Sequence, residues 1–145
     1  MKRGRPSVKE KEDTTMDRPT QHSLTWTVTD EMTAKRIGAA GSKILSTPNM
    51  LSLMEACALE LAQQYLDEGM TTVGAEAHVK HLAPTPVGME VTATATLREI
   101  ERRKMWFDIE VHDEKGKCGE GWHLRIMVPN KDRSCDFDLR FIRAL

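Results

Sequence analysis

Four stretches of the chain alternate apolar and polar side chains with a period of two, and they follow one another closely. That period marks strands with one buried face. In residues 71–82, Val73, Ala75, Ala77, Val79 and His81 share one parity, and Gly74, Glu76, His78 and Lys80 share the other. Met89, Val91, Ala93, Ala95 and Leu97 then alternate with Glu90 and threonines. Met105, Phe107, Ile109 and Val111 alternate with Trp106, Asp108, Glu110 and His112. Last, Trp122, Leu124, Ile126 and Val128 alternate with His123, Arg125 and Met127. The joins read as turns: PTPVG at 84–88, a charged turn at 101–104 and another turn at 113–116. Ahead of these, LTWTVT at 24–29 predicts a further strand, and residues 30–46 show no sustained period and predict a loop.

Between loop and meander lies a different pattern. Ser46, Thr47 and Pro48 form a helix start, a hydroxyl cap followed by proline at the first helical position. The helix is expected to run to about Glu68 and stop at Gly69. Leu51, Leu53, Met54, Ala56, Cys57, Ala58, Leu59, Leu61 and Ala62 leave almost no polar face, which predicts burial on most sides. One-sided strands need a cover, and this is the one long helix the pattern offers. The economical fold is α+β: a curved antiparallel sheet wrapped around one long central helix, a hotdog fold, over residues 24–130. Its exposed edge strands favour pairing of two sheets edge to edge in a homodimer. Residues 1–23, rich in charge and poor in apolar side chains, are expected to form a disordered arm. Residues 131–145 form a mixed tail, with Phe137, Leu139, Phe141 and Ile142 given no packing partner by the pattern.

At 145 residues the chain is one domain with room for a core. A net charge of -1 gives no electrostatic basis for a nucleic-acid or membrane-surface role of the whole chain. The arm does carry RGRP at 3–6, the core of a minor-groove AT-hook, but four residues in a charged arm read first as a solvated tail. The cysteines, Cys57, Cys118 and Cys135, are odd in number and lack CxxC spacing. They read as reduced cytoplasmic thiols, with neither a disulfide framework nor a metal site. No apolar run is long enough to span a bilayer, and no secretory signal is evident.

Candidate chemistry sits on the helix and the strand after it. Glu55 has Leu51, Ala58 and Leu59 as its helical neighbours. A carboxylate on that apolar side must be paired or have its pKa raised, as an acid–base catalyst or as a buried structural glutamate. His81 shares the apolar parity of its strand and sits beside the PTPVG turn, whereas His78 faces the other way. Thr47 reads as an N-cap, a place where a hydroxyl also meets free backbone N–H groups and the positive end of the helix dipole. Together Thr47, Glu55 and His81 make a plausible acyl-transfer site, with Ala75 and Ala77 flooring the pocket. Gly74 interrupts a good strand, which can mark close approach of a ligand to the backbone. Arg125 either reaches an anion in a cleft or lies in solvent, the usual place for a single arginine.

The strings TPNMLSLMEACA (47–58), TTVG (71–74), HLAPTPVGM (81–89) and HDEKGKCGEGWHLR (112–125) resemble those of hotdog-fold thioesterases of the fluoroacetyl-CoA thioesterase type. The resemblance covers about residues 46–128. It implies a catalytic threonine at the helix start, a glutamate within the helix and a histidine on the next strand: Thr47, Glu55 and His81. It further implies a strand glycine that holds the thioester carbonyl, Gly74, and a substrate-binding arginine, Arg125. The implied reaction is hydrolysis of an acyl-CoA to free acid and CoA, with no metal or other cofactor. The fluoroacetyl-specific enzyme gates its acyl pocket with phenylalanines before the helix, whereas residues 37–45 here contain no aromatic side chain. The expected substrate is therefore a small acyl-CoA of broader range. A non-catalytic acyl-CoA binding module and a DNA-associated protein are the other classes the sequence raises.

Overall fold

The structure, a computed structural model, describes residues 18–34 and 43–130. The RGRP motif, Cys135 and the tail from residue 131 lie outside the described residues. One antiparallel sheet holds β1 (Gln21–Thr27), β2 (Met70–His81), β3 (Glu90–Glu101), β4 (Lys104–Asp113) and β5 (Gly116–Pro129), in the order β1-β3-β4-β5-β2. Helix α1 (Thr47–Gln63) connects the β1 side to β2 and packs across one face of the sheet. Met50, Leu53, Met54, Cys57 and Leu61 of α1 meet Val91, Ala93 and Ala95 of β3 and Met105, Phe107 and Ile109 of β4 in a single core. Each fully buried Val, Leu, Ile, Phe or Met side chain among them contributes roughly 1.5–3 kcal/mol.

Several boundaries differ from the sequence pattern. β1 begins at Gln21 rather than residue 24, because polar side chains pair across to β3 on the outer face. Gln21 bonds Thr96 at 3.0 Å, Ser23 bonds Thr94 at 2.8 Å and Thr25 bonds Thr92 at 2.7 Å. Helix α1 ends at Gln63, not near Glu68. Tyr65 turns inward to bond the Pro19 carbonyl at 2.7 Å, and Gly69, at φ 90°, bends the chain into β2. The helix is also not buried all round: Leu51, Glu55 and Leu59, four residues apart, form a half-buried stripe. Glu55 therefore stands on a flank of the buried face.

The larger correction concerns parity. The β2–β5 register pairs Gly74 with Arg125 and Glu76 with Leu124, leaving Ala75 as an extra residue in a bulge. An odd insertion reverses which face later residues occupy. Val79 packs on the helix-side core, while Val73 and Ala75 pack with Leu124, Ile126, Val128 and Trp106 in a second cluster. Trp106 alternates with the core residues Met105 and Phe107, so this second cluster lies on the outer face. Ala75 cannot floor a pocket beside the helix.

On β5 the helix-facing row is Gly119, Gly121, His123 and Arg125, opposite Val111, Ile109, Phe107 and Met105. The apolar row from Trp122 to Val128 is the outer one. Two glycines explain the inversion. A Cβ on Gly119 would sit 2.5 Å from Met50 Sδ, and one on Gly121 would collide with the His78 carbonyl. Close packing of helix and strands removes side chains at those positions, and the hydrophobic alternation then advertises the wrong face.

Candidate active site

At the start of α1 two adjacent hydroxyls divide the work. Ser46, buried and extended at φ −81°, is the cap: its Oγ accepts from Asn49 N at 3.2 Å and Asn49 Nδ2 at 2.8 Å. Thr47 is thus not the cap, as its sequence position suggested, but the first helical residue. Its Oγ1 lies 2.8 Å from Nδ1 of His81. His81 closes β2, opposite Gly119 of β5. The turn that follows is held by Leu82 N and Ala83 N bonding the Cys118 carbonyl, and by Thr85 Oγ1 donating to Asp113 at 2.7 Å. Burial pushes the His81 pKa below its ordinary value, so the ring is neutral near pH 7. Its Nε2 is buried and has no hydrogen-bond partner among the described residues.

A second cluster forms where α1 passes the start of β2. Arg125, 7% exposed, donates from Nε to Thr72 Oγ1 at 2.7 Å and from Nη2 to the Thr72 carbonyl at 3.1 Å. Its Nη1 lies 3.0 Å from His123 Nε2, and His123 Nδ1 lies 2.9 Å from the Glu76 carbonyl. Burial lowers the pKa of both groups, and the Glu55 carboxylate opposes this at each. Glu55 thus belongs electrostatically to this cluster, although among the described residues no ion pair joins it to Arg125. Gly74 is part of the same packing: a Cβ there would stand 3.1 Å from His123 Cε1 and 3.4 Å from Arg125 Nη1.

The structure therefore brings Thr47 to His81, and Gly74, Arg125 and Glu55 to one another. It keeps the two groups apart. Eight helical residues separate Thr47 from Glu55, about 12 Å along the axis, and seven strand residues separate Gly74 from His81, about 23 Å. Arg125, for which solvent was the ordinary expectation, is buried on the helix side. His123 went unnoticed in the sequence, where its parity with Arg125 was the available signal.

Other chemistry is weaker. Burial pushes the Cys57 thiol up to about 11 and raises that of Cys118, so neither is a ready nucleophile. Among the described residues no group of three or more His, Cys, Asp or Glu side chains could hold a metal ion, and no helix is long and apolar enough to cross a membrane. A groove of about 530 Å³ crosses the outer face past His78, Asp108, Glu110, Glu120 and Trp122. It lies on the opposite side of the sheet from Thr47 and His81, and its carboxylates are engaged by Arg98 and Lys117.

A curved five-stranded sheet around one helix, with a hydroxyl–imidazole pair at the helix start, defines a hotdog-fold protein. The family described as fluoroacetyl-CoA-specific thioesterase (FlK) matches residues 28–131, and the chain belongs to it. The fluoroacetyl-CoA thioesterase of Streptantibioticus cattleyicolor is 34% identical over 86 residues, 59% of this chain. The match spans 62% of that relative's length. A solved structure of the fluoroacetyl-CoA thioesterase FlK superposes with a TM-score of 0.71 at 28% identity, covering 75% of this chain and 85% of that one. A hot-dog-like protein from Thermanaerovibrio acidaminovorans gives 0.71 at 27% identity, covering 77% and 82%.

Proposed function

We propose that the protein is an acyl-CoA thioesterase that hydrolyses a small acyl-CoA to the free acid and CoA, working as a homodimer. The observation that carries this reading is the Thr47–His81 pair at 2.8 Å, set at a helix N-terminus with a neutral imidazole. His81 is the general base: it takes a proton from the Thr47 hydroxyl or from a water as that oxygen attacks the thioester carbonyl. The C–S bond then breaks, and the thiolate leaves with the proton that His81 returns. Where water attacked, the free acid is released directly. Where Thr47 attacked, a water deprotonated by His81 next cleaves the acyl–Thr47 ester to the acid and restores the hydroxyl. Backbone N–H groups at the start of α1 and at Gly74 stabilise the oxyanion.

The dimer supplies what one chain separates. β2 is an edge strand of the sheet, twelve residues long, with its bulge at the middle. Antiparallel pairing of two β2 edges about that midpoint sets the end of one strand beside the start of the other. Thr47 and His81 then face Glu55, Gly74 and Arg125 of the partner subunit. The half-buried Leu51–Glu55–Leu59 stripe supports the same arrangement, since an interface would cover it. Cys57 and Cys118 are free buried thiols, which supports a reducing, cytoplasmic setting. We place the catalytic unit at residues 24–130, extended to Gln21 by β1, with the residues before Gln21 as an arm and residues 131–145 as a tail.

Release of free thiol from a panel of short, branched and aryl acyl-CoAs tests the activity. His81→Ala and Thr47→Ala should each lose about a hundredfold or more in kcat, whereas His78→Ala, on the outer face, should stay near wild type. Folded protein that turns over no member of the panel would sink the reading, and tight binding without turnover would replace it with a binding module.

A further inference from the structure

At 1% exposure His123 is the most deeply buried of the His, Asp, Glu, Lys and Arg side chains among the described residues. Its hydrogen bonds fix its chemistry. Nδ1 faces the Glu76 carbonyl at 2.9 Å, which can only accept, so Nδ1 carries a proton. Nε2 faces Arg125 Nη1 at 3.0 Å, which can only donate, so Nε2 presents its lone pair. One neutral tautomer satisfies both neighbours, and the imidazolium satisfies only one. Among the described residues no acceptor is hydrogen-bonded to Nε2. Phe107 stands opposite on β4, Gly74 has no side chain, and Glu55 on α1 acts on the ring through its charge without a hydrogen bond.

Arg125 is the group that benefits. Among the described residues, three of its five N–H donors are committed: two to Thr72 and one to His123. Without the His123 lone pair, a buried guanidinium edge would lose its partner and could swing toward Glu55.

We propose that His123 is a positioning residue: its neutral ring holds the Arg125 guanidinium against Gly74 with two N–H groups uncommitted, and protonation of the ring dismantles that arrangement. This rests on the thioesterase reading for its effect on turnover, since Arg125 is a substrate-binding residue there. It makes the site acid-sensitive at a second place, distinct from the base His81. Burial and the Arg125 charge favour the neutral ring, with the Glu76 carbonyl and Glu55 acting in the other direction.

Two measurements test this. In the full-length protein labelled with ¹⁵N, the His123 ring should show a bare Nε2 and a protonated Nδ1 at neutral pH, and should resist protonation more than an exposed histidine. An Nε2–H tautomer, or an imidazolium at pH 7, would overturn the proposal whether or not the protein is a thioesterase. The second measurement is the pH profile of kcat/KM on the best substrate of the panel. Wild type should fall with a two-proton slope on the acid side, one proton for each of His81 and His123. His123→Gln can accept from Arg125 and donate to Glu76. It should keep plateau activity within about threefold and show a one-proton slope. His123→Phe should lose about tenfold to a hundredfold at the plateau. A full plateau for His123→Phe, or an unchanged two-proton slope for His123→Gln, would overturn the proposal. Should His123→Phe fail to fold, the glutamine variant and the ring tautomer decide alone.

Discussion

Gly119 and Gly121 stand on the same face of β5, yet their missing side chains answer to different neighbours. At Gly119 the nearest atom to an added Cβ is the far end of Met50, a flexible thioether that can move aside. At Gly121 it is the backbone carbonyl of His78, which can yield only if β2 shifts against β5. Gly121→Ala should therefore cost about 1–3 kcal/mol or more, and Gly119→Ala distinctly less. Thermal and urea melts of the two variants check the order, and equal losses would contradict it. The same residues show what the sequence could and could not reveal. His81 and His78 were separable by parity because no irregularity lies between them. Ala75 was misplaced because parity was carried across a bulge, and a bulge is a matter of register that one strand cannot show by itself. Glu55 was legible as unusual but not as half-exposed, since its helical neighbours are apolar whether they meet the sheet or another chain.

At the scale of elements, the strands, their order of appearance and the helix were written plainly in the hydrophobic periods. Their ends were not, because ends depend on what they meet. β1 is lengthened by polar side-chain pairs with β3, and α1 is cut short by the inward turn of Tyr65. The Ser46 Oγ caps the backbone N–H and the side-chain amide of Asn49, the N–H also reaching the Ser46 carbonyl at 3.1 Å, so Ser46→Ala should cost about 0.5–2 kcal/mol. It should do so with the Thr47–His81 bond kept and kcat little changed at temperatures below the melt. A loss of kcat as large as that of Thr47→Ala would mean that Ser46, not Thr47, serves the chemistry. β5 is the instructive failure of pattern reading. It is apolar on its outer face and carries Gly119, Gly121, His123 and Arg125 toward the helix, so the more hydrophobic row is not the inner one.

For the whole molecule, the fold followed from one apolar helix and a meander that needed a cover. The site did not follow, because half of it lies two helical turns from the other half. If the halves meet across a dimer, mixing two inactive proteins has a definite outcome. Glu55→Gln retains an intact Thr47 and His81, and Thr47→Ala retains an intact Glu55. Unfolding and refolding them together should recover about a quarter of wild-type activity by random pairing of subunits. Recovery no greater than the sum of the separate variants would place all the machinery in one chain and remove the shared-site arrangement.

The division of labour between Ser46 and Thr47 has an evolutionary consequence. Because one hydroxyl caps the helix, its neighbour is released from that duty. Position 47 is then a socket in which serine, cysteine or alanine can be tried at little structural risk. New reactivity can be explored there by single mutations, without a compensating change elsewhere, and the lineage need not pass through an unfolded intermediate to reach it.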